Sequence, residues 1–159
     1  METQRPPGAS PQVSGGGVSA KLAPVGRGTA TSLPPVRRSD QRREVVFALY
    51  QHEVTGRPLE ELLEGAKPFT EEVAQGVEEH RGELDELIAR HSKGWSLERI
   101  APLELSILRT ALYEALHRED VPVAVAIDEA VELAKQYCGA DAPGFVNGIL
   151  GAALAETSQ

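Results

Sequence analysis

From Asp40 onward, apolar residues recur three and four positions apart with few breaks, a period that predicts helices and not strands. In the first segment Val45, Ala48, Leu49 and His52 fall on one stripe, while Val46, Phe47 and Tyr50 lie nearly opposite. A helix apolar on most sides is expected inside a bundle. Ser39 or Asp40 is placed to cap its start, and Gly56 followed by Pro58 marks its end. After the short element "LEELLEG", the pattern predicts one long helix from Thr70 to about Ser92, with Val73, Val77, Leu84, Leu87 and Ile88 as its core stripe. Phe69 is placed to staple onto Ala74. Gly94 and Trp95 interrupt the period, Ser96 caps one more turn, and Pro102 suits the first position of a helix through "LELSILRTALYEALHR". There Leu103, Ile107, Leu108, Ala111, Leu112 and Leu116 are expected to face inward. "EDVP" turns the chain into "VAVAIDEAVELAKQYC", with Ile127, Val131, Ala134 and Cys138 in register, and "GFVNGILGAALAE" forms the last helix. Helix after helix with short connections implies an all-α, compact helical bundle.

Composition narrows this without changing it. With 159 residues and 41% hydrophobic content, the chain is expected to bury one ordinary core. Residues 1–36 hold 6 of the 11 prolines and 6 of the 15 glycines and show no sustained apolar period, so they are expected to be a disordered tail before a folded domain spanning 37–157. A single cysteine, Cys138, excludes an internal disulfide and reads as a small buried apolar residue. No run approaches the ~20 apolar residues needed to cross a bilayer, and no signal peptide is evident. The expected location is the cytoplasm, with no membrane partner.

Charge changes the picture more. Residues 1–43 carry seven Lys/Arg against two Asp/Glu, hence +5, whereas residues 44–159 carry nine against twenty-two, hence −13. Four arginines, Arg37, Arg38, Arg42 and Arg43, crowd the start of the first helix, where the macrodipole disfavours cations. A bound phosphate would relieve that conflict, because guanidinium forks and free helix amides both donate to phosphate oxygens. Arg43, Phe47 and Tyr50 follow one stripe, so a base unstacked from single-stranded RNA could lie on Tyr50 while the arginines hold flanking phosphates. The alternative, core aromatics beside a solvated basic linker, stands level with it on charge clustering alone.

Little here suggests catalysis. His52, His80, His91 and His117 are far apart in the sequence, and the "HE" at 52–53 lacks a second histidine four residues on, so no zinc site or other metal site is expected. Neither a phosphate-binding loop nor a Gly-x-Ser-x-Gly elbow occurs. The carboxylates of "TEEVAQGVEEHRGELDELIARH" read as a solvated, partly ion-paired face. Arg109, within a mostly apolar helix, is expected to pair with Asp128 or Glu129.

"RREVVFALYQHEVTG", "ILRTALYEAL", "DVPVAVAIDEAVELAK" and "GFVNGIL", in this order and spacing, resemble the NusB family of bacterial transcription antitermination factors. The similarity runs from Arg37 to about Glu156. It implies about seven helices in two small subdomains, and no catalysed reaction or cofactor. It further implies binding of boxA RNA in ribosomal-RNA leader transcripts, together with the small-subunit ribosomal protein NusE, and an indirect link to other Nus factors and RNA polymerase. Some members self-associate through the RNA-binding surface, which implies a homodimer when RNA is absent.

By position, the resemblance puts Arg37, Arg38, Arg42, Arg43 and Tyr50 at the RNA, and Phe145 and Asn147 in the family signature that opens the last helix. Glu104 and Asp141 are implied for NusE contact. Core packing for Phe145 and helix capping for Asn147 weigh equally against RNA contact. Leu105 departs from the Lys or Arg usual at its position, and the "GADAPG" loop is one residue shorter than in some members. Two other readings remain: a detached recognition domain related to ribosomal-RNA cytosine methyltransferases, and an interaction scaffold without RNA specificity.

Overall fold

The computed structural model describes residues 37–158; the proline- and glycine-rich stretch 1–36 lies outside the described residues. Among the described residues there are seven α-helices, one 3₁₀ turn and no strand. They are α1 (Arg38–Thr55), α2 (Leu59–Leu62), α3 (Pro68–Glu79), α4 (Arg81–His91), the 3₁₀ turn Leu97–Arg99, α5 (Pro102–His117), α6 (Val123–Tyr137) and α7 (Ala142–Thr157). None is long and apolar enough to cross a membrane.

Helix ends follow local chemistry with instructive exceptions. Helix α1 stops where Gly56 turns left-handed at φ 76 and its amide donates to the His52 carbonyl at 3.1 Å, a conformation that suits glycine. Its start differs from expectation. The N-cap is Arg37, which makes no side-chain cap bond, so Ser39 and Asp40 fall inside the first turn and Asp40 serves as a charge and not as a cap. Pro68 and Pro102 take first-turn positions in α3 and α5, where a missing amide hydrogen matters least. Phe69 is therefore inside α3 instead of ahead of it as a staple, and it is buried.

The long helix expected over 70–92 is two helices, broken at His80 (φ −104, ψ 15). Tyr113 of α5 lies across the last turn of α3, so close that a Cβ on Gly76 would sit 2.1 Å from its Cζ. One carbonyl, that of Gly76, accepts from both the His80 backbone amide at 3.0 Å and the His80 ring at 2.9 Å. An apolar period passes over such a one-residue irregularity unchanged, and Val73, Val77, Leu84, Leu87 and Ile88 are all buried as expected.

Helix α5 is the axis. It packs against α1, α3, α4, α6 and α7, and residues 105–112 are buried without a break. Helices α1 to α3 gather on one side of it and α4, α6 and α7 on another, and the apolar core from Val45 to Leu154 is continuous through it. Leu103 and Leu116, expected inward, are half-buried at its ends. In α6 the inward stripe is Ala126, Ala130 and Ala134, one residue off the expected Ile127 and Val131, which are half-buried with Cys138 at its edge. Small side chains on that stripe bring α6 close to α5, and the larger ones fill the flanks.

Candidate nucleic-acid interface

The four arginines at the start of α1 divide by exposure. The side chain of Arg37 is 80% exposed, Arg38 46% and Arg43 41%, but Arg42 is only 7% exposed. One turn of helix separates Arg38 from Arg42, and α1 has a face against α5 that position 42 shares with Val45, Val46 and Leu49. The expectation that Arg42 grips phosphate is corrected by this geometry. Its Nε donates to both carboxylate oxygens of buried Glu114, at 2.8 and 2.9 Å, and its Nη1 reaches Glu129 at 3.4 Å. Burial raises the Glu114 pKa, and the hydrogen bond from Arg42 only partly opposes that.

Carboxylates also answer the exposed arginines. Asp40 lies 3.9 Å from Arg37 and 3.3 Å from Arg43, while Asp120, in the turn between α5 and α6, accepts from Arg38 at 2.9 Å. The dipole conflict read from the sequence is thus eased within the chain. Arg118, which no sequence pattern singles out, joins the cluster by donating to Asp120 at 3.0 Å and to Glu72 at 2.8 Å. Hydrogen bonds from Arg118 and then Arg38 draw the Asp120 carboxyl down to about 2. Three guanidinium groups ring the face of Phe69, at 4.4 Å for Arg38, 5.0 Å for Arg118 and 5.4 Å for Arg42. Only folding brings residues 38, 42, 69 and 118 together, so no local motif could have announced the cluster.

From this pole an aromatic ridge leads along α1. Arg42 meets Glu129, and Phe47 meets Tyr137 edge-on at 5.0 Å, so α1 and α6 run in the same direction. Tyr137, another residue the sequence did not single out, is 42% exposed. Tyr50 is half-buried one turn beyond Phe47.

At the other end of α5, Glu104, Asp141 and Phe145 line one groove of about 380 Å³ with Trp95, Arg99 and Ala140. The Trp95 and Phe145 rings meet edge-on at 6.2 Å, and the Arg99 guanidinium lies 5.6 Å from the Trp95 ring. Burial raises the Glu104 pKa. From Glu104 to Glu114, which anchors Arg42, α5 rises about 15 Å. Asn147 is not in this groove. It is exposed and sits with Pro143 and Gly144 beside Asp128, Val131, Glu132 and Lys135 of α6, and being inside α7 it does not cap that helix. Leu105 is 6% exposed and belongs to the core.

Two further expectations are corrected. Arg109 pairs with neither Asp128 nor Glu129; its Nε and Nη2 donate to Asp85 at 2.7 and 3.0 Å and its Nη1 to Glu53 at 3.2 Å. Position 109 faces α4 and the end of α1, and Arg42 has taken Glu129. Burial would raise the Glu53 pKa, but Arg81 and Arg109 together hold it low. The histidines are not all far apart in space either, since the His80 and His117 rings lie 4.1 Å centroid to centroid.

The NusB family model matches residues 39–155. Among solved structures, T. maritima NusB is 35% identical, with a TM-score of 0.71 over 77% of this chain and 94% of that one. The solution structure of NusB from Aquifex aeolicus is 25% identical, with a TM-score of 0.63 over 77% and 92%. A chain of the crystallised complex of antitermination factors NusB and NusE with dsRNA is 23% identical, with a TM-score of 0.66 over 75% and 96%, a likeness of fold. With a family match over most of its length and helices that superpose on solved members, the chain belongs to the NusB family.

Proposed function

We propose that the protein is an antitermination factor that binds boxA RNA of ribosomal-RNA leader transcripts together with a NusE-type ribosomal protein, without catalysing a reaction. The observation that carries this reading is the pole of solvent-facing guanidinium groups, Arg37, Arg38 and Arg43, at the amide end of α1 on a chain of net charge −8. These three hold RNA phosphates, Arg42 serves as the buried anchor that fixes α1 against α5, and Tyr50 receives a base. The groove of Glu104, Asp141 and Phe145 takes a basic segment of the partner, since two carboxylates flank an apolar floor there. Asn147, on another face of α7, adds a hydrogen bond to RNA or partner at the edge of that surface. Other Nus factors and RNA polymerase are reached through the pair, in the cytoplasm, and without RNA the same face pairs with a second copy. The crystallised NusB and NusE complex with dsRNA supports RNA and NusE as the partner classes.

Fluorescence anisotropy on boxA RNA and a scrambled strand, with NusE present, tests the reading. Arg38→Ala with Arg43→Ala is expected to weaken boxA binding and to flatten its dependence on log salt by about 1.4, at ~0.7 per lost contact on a single strand. An unchanged slope would remove the arginine pole from the site. A scaffold without RNA specificity is the second reading, favoured by the carboxylates already paired with each exposed arginine. Equal affinity for boxA and scrambled RNA would decide for it.

A further inference from the structure

His80 stands at the break between α3 and α4, Glu83 one turn later on α4, and His117 is the last residue of α5. One ligand atom from each lies within 4.8 Å of the other two. We propose that these three side chains form a site for a divalent first-row transition metal, of which zinc is the representative.

The hydrogen bond of His80 sets a tautomer that suits a ligand. A carbonyl oxygen only accepts, so the 2.9 Å contact between Nδ1 and the Gly76 carbonyl fixes the proton on Nδ1 and leaves the lone pair of the neutral ring on Nε2. Ligating histidines are held in this way by their second nitrogen. Among the described residues no protein group hydrogen-bonds to Nε2 of His80, which leaves the lone pair open to a cation or to solvent.

Glu83 and His117 supply the rest. The His117 Nε2 to Glu83 Oε1 distance is 2.9 Å, a hydrogen bond whose proton a cation would replace. Tetrahedral coordination with bonds of 2.0–2.1 Å sets ligand atoms roughly 3.3 Å apart, so this pair opens by only a few tenths of an ångström. Both side chains are at the surface, 47% and 29% exposed, and move without disturbing the core. Tyr113 backs both imidazoles at 5.4 Å, and its own position is set by the missing side chain of Gly76.

Two nitrogens and one carboxylate oxygen select zinc, cobalt, nickel or copper over magnesium and calcium, which take oxygen ligands. Three protein ligands leave a fourth position for water. The cation would cross-link the α3–α4 break to the end of α5, one residue from Arg118. Through Asp120, Arg118 is tied to Arg38, so the metal stiffens the framework under the arginine pole.

The test is a titration of the chelator-treated full chain with cobalt(II), followed by its visible d–d bands, and a zinc competition read by thermal unfolding. One equivalent with tetrahedral bands is expected, together with a zinc-dependent rise in Tm. Glu83→Gln should weaken cobalt binding at least about tenfold, and His117→Gln should abolish the bands. His91→Gln, which alters the histidine paired with Glu156, should leave both readouts unchanged. Circular dichroism of the metal-free variants separates lost ligation from lost folding, and exposed Glu83 keeps the test sound if His117→Gln does not fold. Absent bands with no zinc-dependent shift, or equal cobalt affinity in wild type and Glu83→Gln, overturns the site.

Discussion

Arg42 and Arg43 are neighbours of identical chemistry with different roles. Removing Arg42 strands the Glu114 carboxylate, 1% exposed, in the interior; breaking a buried pair from one side costs about 3–5 kcal/mol. Urea denaturation of Arg42→Ala is expected to show a loss in that range, while Arg43→Ala changes stability by no more than about 0.5 kcal/mol. Burial outweighs Arg42 in setting the Glu114 pKa, so the charged pair is itself strained by desolvation. Arg42→Met combined with Glu114→Leu should therefore recover most of the loss; equal losses in the single and double variants would refute the pairing argument. Asp120 has the opposite sign. Its folded pKa of about 2 is below the ordinary 3.8, so its contribution is present above 3.8 and is lost as the pH falls through about 2. The stability difference between wild type and Asp120→Asn is expected to shrink across that acidic window in denaturation curves, and a gap that grows toward pH 2 would contradict the pairing. The effect is small because the group is exposed and screened.

Between helices, close approach decides what propensity does not. Alanine normally stabilises a helix over glycine by about 1 kcal/mol. At Gly76 the sign is expected to reverse, because a methyl group would sit 2.1 Å from Tyr113 Cζ and displace a ring that lies tilted against His80 and His117. Thermal unfolding of Gly76→Ala should show a loss of about 1 kcal/mol or more. In a Tyr113→Ala background the same substitution should become neutral or stabilising, and a stabilised single variant would count against the packing argument. Arg109 plays a related part, bridging Asp85 on α4 and Glu53 at the end of α1. Continuous helix over 70–92 was the natural reading of an unbroken apolar stripe, because the stripe records which side is buried and carries no trace of the tyrosine that crosses it.

Across the molecule, charge is segregated, with +5 on residues 1–43 and −13 on the remainder. The arginine pole is self-compensated by Asp40 and Asp120, so RNA competes with these carboxylates for the same guanidinium groups. Asp40→Asn with Asp120→Asn is expected to tighten RNA binding several-fold at low salt, measured by anisotropy, with the gain fading as salt screens the pole. Weaker binding would mean that the carboxylates aim the arginines instead of masking them. Glu104 in the groove and Glu114, which anchors the arginine pole through Arg42, lie about 15 Å apart along α5, a span that one strand and one partner can share.

The sequence by itself determined the helical fold class, most helix ends and most of the buried stripe, because period, proline at first turns and glycine at Gly56 act within a few residues of one another. It also exposed the arginine cluster and, through four ordered stretches, the family. Tertiary structure alone decided which arginine turns inward, that Arg109 meets Asp85, that Tyr137 supports Phe47, and that His80 and His117 converge. Each of these depends on which neighbour a face meets, and a periodic pattern defines the face without naming the neighbour.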